Sequence, residues 1–139
     1  MSPACERGSG SDTMEGMLAA ILESGDPERL YTGLSLLVSA ASEGTPVLVL
    51  VGFGALRPLL DPALEAHAMV TAAHVIEDDR VAFSRTLAEL RDTAFELCRI
   101  WACTAARDAV GVEGDERLEG VISMPRFLRE AAGAQVVVI

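Results

Sequence analysis

A chain of 139 residues is long enough for one domain with a real core and too short for two. Half of its residues are hydrophobic, aromatics make up 4%, and mean hydropathy is +0.33, so Ala, Val and Leu must build the core. The net charge is −10, all 11 basic residues are Arg, and Lys is absent. This balance excludes a phosphate-binding surface for nucleic acid and an anionic-membrane surface, both of which need clustered cations.

Residues 1–14 are rich in Ser, Gly and Pro without periodicity and read as a disordered tail. The tail has no apolar centre and is no secretory signal. Cys5 within it reads as an incidental thiol. Order is expected from Glu15 to Ile139 as a single domain, in the reducing cytoplasm that three cysteines without a disulfide framework suit. No segment reaches the roughly 18 apolar residues a membrane span requires.

The apolar run Gly16–Glu23 has strand length. Asp26 before Pro27 is a helix start, a carboxylate cap followed by Pro at the first helical position. That helix is expected to reach Ser42, with Leu30, Leu34, Leu37, Val38 and Ala41 on one face, and Gly44 closes it. Val47–Val51 is too uniformly apolar for a half-exposed strand, so strand, helix and strand form a right-handed βαβ unit. A short helix is expected around Ala55–Leu60, another over Pro62–Glu77, and a third over Val81–Glu96. Cys98–Cys103 reads as a third strand, Thr104–Val110 as a short helix ended by Gly111, and Glu113–Glu119 as an acidic loop. A fourth strand at Gly120–Ser123, a helix capped by Ser123, and a last strand at Gln135–Ile139 complete the alternation. The order calls for an α/β fold: three layers, α/β/α, around a mainly parallel five-stranded sheet.

In such sheets sites form at the carboxyl ends of the strands. The loops Ser24–Glu28, Gly52–Pro58 and Cys103–Thr104 converge there, and Cys103 is the one nucleophile that the pattern places at that edge. A thiol at a helix start meets free amides that favour thiolate. Arg107, one turn along, can add a cation, and the Asp108 carboxylate works against it. Spacing alone leaves a buried structural thiol as an equal reading of Cys103. Cys98 at the strand's head reads as packed. About 16 Å of extended chain separates it from Cys103, beyond a disulfide's reach.

Gly52-x-Gly54 begins like a dinucleotide fingerprint, but Arg57 stands where the third Gly belongs and no long helix follows. His67 and His74, two helical turns apart, are too distant for the usual i, i+4 metal pair, so no metal site is expected.

Arg99-Ile-Trp-Ala-Cys-Thr-Ala-Ala-Arg-Asp-Ala-Val-Gly111 resembles the signature strand and helix of DsrE/DsrF-like sulfur-relay proteins. The opening, with Ser24-Gly-Asp-Pro-Glu-Arg29, and the ending, Gly120–Ala131 followed by an apolar strand, are similar as well. The likeness spans Met17 to Ile139, and it departs at Leu97-Cys98, where Gly is frequent. The resemblance implies a homo-oligomer (trimer or hexamer) and no cofactor. It makes Cys103 the carrier of persulfide sulfur between donor and acceptor proteins, as a sulfurtransferase component. Thr104, Arg107, Ser24 and Gly25 would support it. The alternative is a non-catalytic oligomeric module that binds a small ligand or a protein at the same strand edge.

Overall fold

The computed structural model describes residues 16–139 and places five strands in one parallel sheet. In chain order the elements are β1 (Leu18–Leu22), α1 (Pro27–Ser42), β2 (Val47–Val51), α2 (Phe53–Leu60), α3 (Leu64–Thr71), α4 (Arg80–Leu97), β3 (Arg99–Cys103), α5 (Thr104–Val110), β4 (Gly120–Ile122), α6 (Met124–Glu130) and β5 (Gln135–Val138). The expected tail and Cys5 lie outside the described residues.

Local chemistry explains most boundaries. The Arg29 amide donates to the Asp26 carboxylate at 3.2 Å to open α1, and the Arg126 amide donates to the Ser123 hydroxyl at 3.3 Å to open α6. Both helices carry Pro in the first turn. Gly111 ends α5 with φ of 76°, a left-handed conformation that side chains rarely adopt.

The strand order β4-β3-β2-β1-β5 decides the layering. Connections from β1 through β4 all step the same way across the sheet. Right-handed crossovers therefore stack α1 to α5 on one face. The step from β4 back to β5 runs the opposite way and lays α6 on the other face. Burial follows this division. Ala20, Leu22, Val49, Val51 and Ile100 meet Leu30, Leu34, Leu56 and Leu87 in the larger core. Ala19, Leu48, Leu50, Trp101 and Ile122 meet Phe127 and Ala131 of α6 in the smaller one. Trp101 and Phe127 pack edge to face, 6.1 Å between centroids.

One expected helix is shorter than its sequence pattern. The segment expected to run from Pro62 to Glu77 is helical only over Leu64–Thr71. The His74 amide turns away to the Glu28 carboxylate at 2.7 Å, and Arg80 donates to the carbonyls of Met69 and Val75. Long-range partners thus satisfy groups that would otherwise have continued the helix. His67 and His74 consequently do not share a helix face. Among the described residues, no helix is long and apolar enough to cross a membrane.

Candidate functional site

Cys103 is the last residue of β3 and the residue before α5. Its backbone is still extended, with φ −69° and ψ 133°, and its side chain makes no capping bond. It pairs with Ile122 of β4, and its side chain contacts both cores. The connection after β3 leaves toward the α1–α5 face, and the one after β4 leaves toward α6. Adjacent strands whose connections part in this way open a crevice at their carboxyl ends, where parallel sheets bind ligands. Cys103 is partly exposed at that crevice, beside the uncapped amides of a helix start.

Cys98 differs in every respect. It is 7% exposed at the start of β3, and burial alone pushes its thiol up to about 11. This is a packed thiol, as its position in the sequence suggests.

The expected supporting residues occupy the same rim in distinct ways. Thr104 is half-buried as the first residue of α5. Arg107 donates from Nε to Asp108 at 3.0 Å, so its charge arrives with a counter-charge attached. The Ser24 hydroxyl accepts from the Asp26 amide at 3.1 Å and shapes the turn into α1. Gly25 sits against the carbonyl of Gly54 and the ring of Pro58, and a methyl group there would overlap both. Gly54 is similarly closed off by the Glu23 carbonyl, which a methyl group there would overlap. The loops after β1 and β2 are thus interlocked through two glycines, a reason for Gly52-x-Gly54 that needs no nucleotide. Leu22 and Ala102 flank Val51 in register. Two strand spacings, about 10 Å, therefore separate β1, which Gly25 follows, from the strand of the thiol, and one separates β2, which Gly54 follows.

Three features escaped the sequence reading. The Glu23 carboxylate lies over Gly52, filling the space a side chain would take, one strand from Cys103. Arg91, 6% exposed, donates from Nη1 to the carbonyls of Leu59 and Asp61, each at 2.9 Å, and from Nε to Asp92. A cation on the last carbonyls of α2 opposes the negative helix end. Asp61 accepts the Ala63 amide at 2.8 Å and pairs with His67 Nδ1 at 2.5 Å. The Ala63 bond, reinforced by His67 and opposed by partial burial, holds the Asp61 carboxyl below its usual range. The helical pattern does expose Arg91 as a charge on the apolar stripe of α4, which is the one signal that points to it.

Among the described residues, no cluster of His, Cys, Asp and Glu is arranged to hold a metal ion. No protein-family model matches the chain, and no curated protein shows significant similarity to it.

Proposed function

We propose that this chain is a sulfur-relay protein of the DsrE/DsrF-like type, working through Cys103. One observation carries the reading: the thiol is partly exposed at the crevice where the connections after β3 and β4 leave the sheet on opposite faces. Relay chemistry needs an accessible sulfur and a docking surface, without a deep substrate pocket.

The Cys103 thiolate attacks the outer sulfur of a donor persulfide. The donor's S–S bond breaks, the donor leaves as thiolate, and Cys103 becomes Cys–S–SH. An acceptor thiolate then attacks the outer sulfur and returns Cys103 to its starting state. No external oxidant enters the cycle. The sulfur lies beside the uncapped amides at the start of α5, and the chain's acidic balance favours protein partners over nucleic acid as its surface contacts.

The same reading includes homo-oligomeric assembly. Val136 and Val138 of β5 are 47% and 68% exposed on the face that, among the described residues, α6 alone covers, with Leu128 of α6 exposed as well. An open apolar flank of this kind is suited to a second copy.

The decisive experiment is incubation with a persulfide donor followed by intact-mass measurement in a Cys5→Ser background. A gain of one sulfur that disappears in Cys103→Ser supports the relay. An unchanged mass at every donor concentration sinks it and leaves a binding module at the same edge.

A further inference from the structure

A cavity of about 700 Å³ opens on the helical side of the sheet, between the start of α1, α2, α3 and the Gly111–Glu113 loop. Its size falls in the range of small-molecule sites, roughly 300–1,000 Å³. Cys103 is not among its lining residues, so it is separate from the relay thiol. We propose that it is a binding site for a small monocarboxylic acid with an apolar chain.

The walls supply the apolar part through Pro27, Pro58, Leu60, Leu64 and Val112. Prolines and short helices make these walls stiff, so little ordering is left for binding. The polar groups are few and specific. Arg57 lines the cavity, donates to the Val110 carbonyl at 2.6 Å, and forms no ion pair among the described residues. In a chain of net charge −10, a guanidinium lacking a carboxylate partner stands ready for one from a ligand.

His67 supplies the second contact. Its Nδ1 is held by Asp61, whose other oxygen is held by the Ala63 amide. Asp61 is itself held through its carbonyl by the buried Arg91. The chain Arg91–Asp61–His67 fixes the ring and leaves Nε2 for a ligand. With Nδ1–H donated to Asp61, Nε2 donates to a carboxylate once the ring takes up a second proton, so the bound anion and one proton enter together. Glu113, exposed on the facing loop, disfavours a second negative charge. A monoanion with an apolar remainder fits these demands, and a dianion or an amine does not.

Octanoate serves as the probe, titrated into the full chain while the His67 ring signals are followed by NMR, with octanol and octylamine in parallel. Saturable shifts at His67 are expected with octanoate, and binding about tenfold or more weaker with the other two. Arg57→Gln should weaken octanoate by a similar factor while leaving octanol unchanged. Thr71→Trp, which fills the cavity from an exposed position, should remove binding with the far-UV spectrum intact. Cys103→Ser should leave octanoate binding unaltered, so failure here and failure of the relay are seen separately. The proposal is overturned by unsaturable shifts, by octylamine binding equally well, or by an affinity indifferent to Arg57→Gln.

Discussion

Cys98 caps the end of α4 just before β3 and Cys103 closes that strand, and the fold treats them oppositely. At pH 8 the buried Cys98, at about 11, stays a protonated thiol, whereas Cys103 is open to solvent. Iodoacetamide applied to the native Cys5→Ser protein should therefore give one adduct, mapped to Cys103. Labelling of Cys98 first would contradict the assignment. Asp61 offers a test in acid. Its folded pKa lies below the ordinary 3.8, so its contribution to stability is full above that value and is lost as pH falls through the folded value. Urea midpoints measured from about pH 5 to pH 2 should fall less steeply in Asp61→Asn than in the parent. Equal slopes would show that the Ala63 and His67 contacts do not discriminate between the two protonation states. Of these residues, Cys103 and Cys98 were legible from strand position. Asp61 was not, because its partners became visible only when α3 was seen to begin beside it.

At the scale of elements, α6 has the largest task for its length. Among the described residues a seven-residue helix is the sole cover of one sheet face, and it does so chiefly through Phe127, which is fully buried against Trp101. Phe127→Ala should cost about 3–5 kcal/mol by denaturant titration. A loss under about 1 kcal/mol would mean that the second core is not cohesive. The α4 helix presents the converse case. Ser84 is fully buried, and among the described residues its hydroxyl has no hydrogen-bond partner. Ser84→Ala should leave stability unchanged or raise it by up to about 1 kcal/mol, since no hydrogen bond is lost and a desolvated hydroxyl is removed. Both helices were anticipated from periodicity and capping. The break at Asp78-Asp79 was expected as well, whereas the early end of α3 was not, since it depends on Glu28 reaching His74 across the fold.

Among the described residues, five α-helices lie on one side of the sheet and one on the other. Under the proposed reading, the under-covered side is where copies of the chain meet. Light scattering at micromolar concentration should then report an oligomer, and Val138→Arg should shift it toward monomer without loss of helical signal. A monomeric parent protein would remove assembly from the proposal while leaving the fold untouched.

The amino-acid sequence by itself determined the order of helices and strands and that the sheet is parallel, with the end of α3 as the exception. Caps, proline positions and apolar runs act over three or four residues, so the information sits where the structure forms. Strand order, the placement of α6 across the sheet from the other described helices and the interlocked glycines were decided by tertiary contact alone. Arg91 reaches Leu59 across 32 residues, His74 reaches Glu28 across 46, and Arg57 reaches Val110 across 53. Such bonds are chosen by which surfaces collapse together, and no local pattern encodes them.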